Sequence, residues 1–173
     1  MQLYFIALLP NKLIQDEVTA FKEEARTKFG SGHALKSPPH ITLIPPFRTD
    51  RTDFVALHEF ADNQSPFDVQ LERFDRFGSR VIFVHVTTNQ ALVSCQKRLA
   101  SFCSDLFSIP IETRPFHPHM TVAFKDLSRS VFPEAWSYFS AQSYHRTFSA
   151  AALTLLRHTG QRWEIAEEFS FNG

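Results

Sequence analysis

Glycine is scarce in this chain, five residues in 173. No glycine-rich phosphate loop of the GxxxxGK or GxGxxG kind is present, nor a nucleophile elbow. That argues against P-loop nucleotide hydrolysis, Rossmann-type dinucleotide binding and the α/β-hydrolase machinery. An excess of one charge is also missing: 18 Lys and Arg stand against 18 Asp and Glu, with an isoelectric point near 7.1. A protein that coats duplex nucleic acid needs a clear basic excess, whereas a small anionic ligand, or one phosphate at a nucleic-acid end, does not. Long apolar runs are absent too. The N-terminal run Leu3–Leu9 has no basic flank and stops at Pro10. It is too short to span a bilayer and lacks the charged start of a signal peptide, so it reads as a buried strand and the chain is expected to have no membrane partner. Only two cysteines occur, Cys95 and Cys103, in a stretch with helical periodicity. Eight helical residues put them about 12 Å apart, beyond disulfide reach, so the expectation is a reduced, cytoplasmic protein.

What is there is an ordinary globular composition, 43% hydrophobic and 21% charged, with 19 phenylalanines that suggest an aromatic core. The length fits one domain, or two small lobes sharing a core. Strands are expected at 3–10, 38–47, 67–74, 80–88 and 115–124, with a closing pair at 144–157 and 163–171 joined through Thr159-Gly160. Asn11 offers an N-cap for a helix that carries Ile14, Val18, Phe21 and Ala25 at helical spacing and stops at Gly30. Asn89 opens another, with Leu92, Cys95, Leu99, Phe102 and Leu106. Shorter helices are expected at 53–62 and 133–141, and Gly78-Ser79 as a turn.

The two halves match each other. Phe5-Ile6-Ala7-Leu8 aligns with Phe83-Val84-His85-Val86, Asn11 with Asn89, and Phe29 with Phe107, all at an offset of 78. Pro39-His40-Ile41-Thr42-Leu43 then meets Pro118-His119-Met120-Thr121-Val122 at 79. The spacing holds over 3–47 and 81–125, which points to one domain built of two pseudo-symmetric lobes.

His-x-Thr occurs four times, starting at His40, His85, His119 and His145, where composition alone would yield about 0.6. A preceding proline and an aliphatic residue after the threonine single out His40 and His119. Residues i and i+2 of a strand project from one face, roughly 6.5–7 Å apart, so each element presents an imidazole beside a hydroxyl. Two copies on pseudo-symmetric strands would converge as two imidazoles and two hydroxyls. Phosphodiester displacement needs a base on the attacking oxygen and an acid on the leaving one, and histidine serves either role near neutrality. Threonine hydroxyls can donate to the non-bridging oxygens. No cofactor or metal is required by such a set. The competing account makes both histidines packed core residues and the threonines ordinary strand formers.

With MQLYFIALLP at its start, PPHITLIPPF at 38–47 and FHPHMTVAF at 116–124, the chain resembles the 2H phosphoesterase superfamily. The likeness is to its "2′–5′ RNA ligase" branch of RNA 2′,3′-cyclic phosphodiesterases, and it covers nearly the whole length. It implies a bilobal α+β fold with two mainly antiparallel sheets forming a V-shaped cleft, helices outside, and His40, Thr42, His119 and Thr121 lining the cleft. It implies hydrolysis of a 2′,3′-cyclic phosphate on an RNA end or small nucleotide by a monomer, with His119 as base and His40 as acid, reversible toward ligation. Many relatives carry an arginine shortly after the second threonine. Here Phe124 and Lys125 follow, so Lys125 becomes the candidate phosphate contact, without the planar fork of a guanidinium.

Other residues weigh less. His117 and His119, at i and i+2, could ligate a metal with His145 or His158 as a third ligand, but no carboxylate or thiolate lies near them in sequence. His85 reads as a core or cleft-floor residue, and His33, His58 and His158 as exposed or loop residues. The Arg73, Arg76 and Arg80 cluster reads as a solvated hairpin face. Phe47 could stack on a base at the cleft mouth or belong to the core. A nucleotide-binding module without turnover and a 2′–5′ oligonucleotide phosphodiesterase remain as alternative functions.

Overall fold

Asparagine starts both long helices in the same way. In the computed structural model, which describes residues 1–173, the Asn11 side chain accepts from the Ile14 amide at 3.1 Å and opens α1 (Lys12–Phe29), while Asn89 accepts from Leu92 at 2.8 Å and opens α3 (Gln90–Phe107). Both helices end on a left-handed residue, Gly30 at φ 70° and Ser108 at φ 55°. Around them run β1 (Gln2–Leu8), a 3₁₀ turn (His33–Lys36), β2 (Ile41–Thr49), α2 (Ala56–Asp62), β3 (Phe67–Phe77), β4 (Val81–Thr87), β5 (His119–Ala123), α4 (Phe132–Ser140), β6 (His145–Ala150), β7 (Ala152–His158) and β8 (Trp163–Ser170).

The strands form two four-stranded antiparallel sheets, ordered β2-β1-β7-β8 and β5-β4-β3-β6. In each, the strand before a capped helix pairs directly with the strand after it. The α+β class with two antiparallel sheets is therefore the architecture observed. The helices exchange sides. On α1, Phe21 packs edge-on against Phe74 of β3 at 5.0 Å, and Phe29 meets Tyr138 and Phe139 of α4. On α3, Gln96 donates to the Leu43 carbonyl of β2, and Phe107 at its end meets Phe54, which touches Tyr4 of β1. Each long helix thus covers the sheet that its own flanking strands do not belong to. The other face of β1 carries Phe5 and Ala7, which pack with Leu156 under Trp163.

Three element boundaries differ from the sequence reading. The expected strand 144–157 is broken at Ala151, and its two parts join different sheets. The expected strand 115–124 begins only at His119, because Pro115 and Pro118 cannot donate to a ladder. Pro45 and Pro46, expected to fence the second strand, instead lie within β2; it is an edge strand, where proline is tolerated, and its pairing with β1 is irregular there. Cys95 and Cys103 are free and buried, their thiols pushed up by burial to about 11 and about 12. No helix is long and apolar enough to cross a membrane.

Candidate functional site

The segments just before β2 and β5 set the two histidines in equivalent ways. His40 Nδ1 lies 2.7 Å from the Pro38 carbonyl oxygen, and His119 Nδ1 lies 2.7 Å from the His117 carbonyl oxygen. A carbonyl only accepts, so each Nδ1 carries the proton and each neutral ring keeps a bare lone pair on Nε2. Both rings are half-buried against aromatic walls. Phe5 lies 4.8 Å from His40, and Phe77 and Phe83 lie 4.9 and 5.2 Å from His119, centroid to centroid.

The structure brings His40, Thr42, His119 and Thr121 to the wall of one cavity of about 340 Å³, and Lys125 joins them. Phe47 does not. It is 9% exposed, packs on Tyr4 and Phe54, and borders a separate cavity of about 480 Å³, so of its two readings the core one fits its packing. The phenyl and indole rings that do line the cavity are Phe5, Phe77, Phe124 and Trp163. Lys22 and His33 also line it, and the sequence motifs point to neither. Lys22 carries a legible signal all the same: a lysine standing on the apolar stripe Ile14, Val18, Ala25, Phe29 of α1. Phe77 carries none, since its place depends on the hairpin between β3 and β4.

Lys125 is held in an unusual backbone conformation. Its φ is +62°, and the Asp126 amide donates back to the Phe124 carbonyl at 2.7 Å, closing a three-residue turn with Lys125 at its apex. The Asp126 carboxylate is occupied elsewhere, accepting from the Ser31 hydroxyl and the Gly32 and His33 amides. The cavity wall holds two lysines, three histidines and no carboxylate, in a chain whose formal charges cancel.

Burial pushes the His40 imidazole down to about 4; the bond to Pro38 opposes this, and the charges of Lys22 and His119 add to it. Burial lowers His119 as well, opposed by its bond to the His117 carbonyl and helped by the His117 charge. Both rings are therefore neutral at pH 7 in the empty cavity. A larger cavity of about 560 Å³ adjoins the first across Thr42, Phe77 and His119, and Gln96, Lys97, Arg114 and Phe116 line its far side.

The remaining histidines separate by position. His85 pairs with His119 across β4 and β5, hence on the same sheet face, and its Nδ1 is buried with no partner. His145 is exposed on the edge strand β6. The rings of His117 and His119 stand 6.4 Å apart, and nowhere do three His, Cys, Asp or Glu side chains gather closely enough to hold a metal.

The family described as the 2′-5′ RNA ligase superfamily matches residues 14–162. The chain belongs to that superfamily. Within it, a candidate phosphoesterase of Geobacillus thermodenitrificans is 31% identical, covering 98% of this chain and 96% of the relative. One of Staphylococcus epidermidis is 27% identical, covering 95% and 96%. Solved structures share the 2H fold. The TT0787 protein of Thermus thermophilus superposes with a TM-score of 0.70 at 19% identity over 100% of this chain and 99% of its own. Escherichia coli LigT, complexed with 3′-AMP, gives 0.68 at 18% identity over 99% of both. LigT has also been crystallised with phosphate, NADP+ and ATP.

Proposed function

We propose that this protein is a metal-independent phosphodiesterase that opens a 2′,3′-cyclic phosphate, on an RNA end or a small nucleotide, to a phosphomonoester. The observation that carries the reading is the cavity wall itself: two imidazoles with free Nε2 atoms, two threonine hydroxyls and two lysines, with no carboxylate to repel an anion. The nucleotide complexes of LigT add support by likeness of fold.

His119 Nε2 takes a proton from water as the water oxygen bonds to phosphorus. The bond from phosphorus to one ribose oxygen breaks, and that oxygen takes a proton from His40 Nε2. Thr42 and Thr121 donate to the non-bridging oxygens as charge gathers there, and Lys125 balances it. His119, neutral in the empty cavity, suits the base. His40 must first gain a proton, and the incoming anion supplies the field that raises its affinity for one. With a 5′-hydroxyl in place of water, the same transfer of protons joins that hydroxyl to the phosphorus and frees one ribose oxygen, which is ligation. We further read 3–47 and 81–125 as copies of one unit, because β1–α1–β2 and β4–α3–β5 share pairing, cap chemistry and helix length. The protein would act as a monomer, and its two unpaired thiols suit a reducing cytoplasm.

The test is turnover of cyclic mononucleotides, cyclic-ended RNA and 2′–5′ oligoadenylate by purified protein with a chelator present. Opening of the cyclic phosphate is the expected result. Cleavage of the 2′–5′ oligomer alone transfers the reading to linear substrates, and binding without turnover of any of the three sinks it.

A further inference from the structure

Lys22 stands on the buried stripe of α1, four residues after Val18 and three before Ala25, with 2% of its surface exposed. Lysine is almost never buried without an anionic partner, and desolvating its ammonium costs several kcal/mol. No carboxylate answers it here. Its Nζ donates to the carbonyls of Ala34 at 3.0 Å and Ser37 at 2.9 Å, both in the turn that leads to His40. An ammonium has three protons, so one is left with no protein acceptor. The same side chain lines the cavity with His40, Thr42, His119 and Thr121. The other charged or titratable groups packed around it are His33 and Lys125 on that cavity, and Lys36, Arg162 and Glu164 on a smaller one beside it. Glu164 makes no ion pair with it.

We propose that Lys22 is a positioning residue for phosphate-ester chemistry: it pins the turn that carries His40 and keeps on the same cavity wall an amine whose positive charge no protein carboxylate answers and a bound oxyanion would. The inference rests on the phosphate-ester reading of the cavity. In the empty protein, burial brings the amine down to about 7, and its charge helps keep His40 unprotonated. An oxyanion in the cavity reverses both effects, drawing protons onto Lys22 and His40 together. Occupancy then loads the acid, and the empty site stays unloaded.

The experiment follows ring and amine titrations by NMR, with inorganic sulfate as the probe because it keeps its charge across the range. In wild-type protein labelled at lysine Cε, one lysine is expected to titrate near neutrality and to move upward when sulfate is added. In Lys22→Met the His40 midpoint in the protein without sulfate should rise by about one unit, the size of a neighbouring charge partly screened by solvent. Sulfate affinity should fall about tenfold, and Lys22→Arg, which keeps the charge, should restore part of it. The proposal is overturned if no near-neutral lysine responds to sulfate in the wild type. It is equally overturned if folded Lys22→Met keeps both the His40 midpoint and the sulfate affinity within twofold. Should Lys22→Met not fold, the wild-type titration decides alone. None of these readouts needs turnover, so a protein inactive on cyclic phosphates whose Lys22 still answers sulfate would defeat the enzymatic reading and leave standing only the anion-linked charge of Lys22.

Discussion

The burial of His40 makes the fold itself sensitive to acid, and replacing His40 with asparagine isolates that sensitivity. Asparagine stays neutral, and its side-chain amide can still donate to the Pro38 carbonyl that His40 now holds at 2.7 Å. Above pH 7 the ring is neutral in both the folded and the unfolded chain. Below the ordinary value of 6.5 the unfolded chain takes up a proton that the folded one refuses until about 4. The unfolded state therefore binds more protons in this window, and stability falls as the pH falls through it. The penalty is about 2 kcal/mol at pH 5 and levels off near 3 kcal/mol below pH 4. Burial lowers His119, His85 and His33 too, with the same sign. Those three remain in the variant and largely cancel in the comparison. Urea unfolding of both proteins at pH 8, 7, 6 and 5 reads the difference, which should open only below about pH 7 and grow to about 2 kcal/mol at pH 5. Adding sulfate should shrink it, since an anion beside the ring restores its proton affinity. Parallel stability curves for the two proteins from pH 8 to 5 would refute the premise that the empty cavity keeps His40 neutral.

Replacing His40 or His119 with alanine should slow cyclic phosphate opening about 10²–10⁴-fold each, and the double variant should be far less damaging than the product of the two, because paired groups act as a unit. His145→Ala, on the exposed edge strand β6, should change the rate less than about twofold in the same steady-state assay. Thr42→Val and Thr121→Val keep the shape but remove a donor, and each should cost about 10–10³-fold in kcat. Phe47→Ala should cost about 3–5 kcal/mol of stability in denaturant titration, as for other buried phenylalanines, with KM unchanged in protein that remains folded.

The candidate site was legible in the sequence wherever chemistry recurs at fixed spacing. The proline-flanked His-x-Thr elements at His40 and His119 stand out against composition, and asparagine before an apolar stripe announces both long helices. Legibility ends where position depends on distant partners. Nothing between Ala150 and Ala152 breaks a strand by local chemistry, yet the chain changes sheets there because β3 and β1 claim its two sides. Phe47 and Phe77 are the same residue type in similar strand contexts, and only packing sends the first into the core and the second to the cavity wall. Lys22 was readable as an anomaly on its helix, but its purpose needed the turn it holds and the histidine beyond it.

The exchange of helices between sheets has a consequence for how the protein comes into being. Tyr4 of β1 pairs with Arg157 of β7, and α1 rests on β3, which needs β6 along its other edge. A chain leaving the ribosome therefore carries an N-terminal half with one sheet edge unpaired and a helix without its bed. Neither sheet can be completed until residues after 144 have emerged, and the one holding β1 waits for residues after 151. Assembly is expected to be a late, concerted event dominated by pairings far apart in sequence, and correspondingly slow. Until then the phenylalanines of both halves are open to solvent and to one another, which is the stage at which such a chain is most exposed to aggregation. Separate expression of residues 1–80 should accordingly yield no independently folded unit, whatever its resemblance to the half that follows.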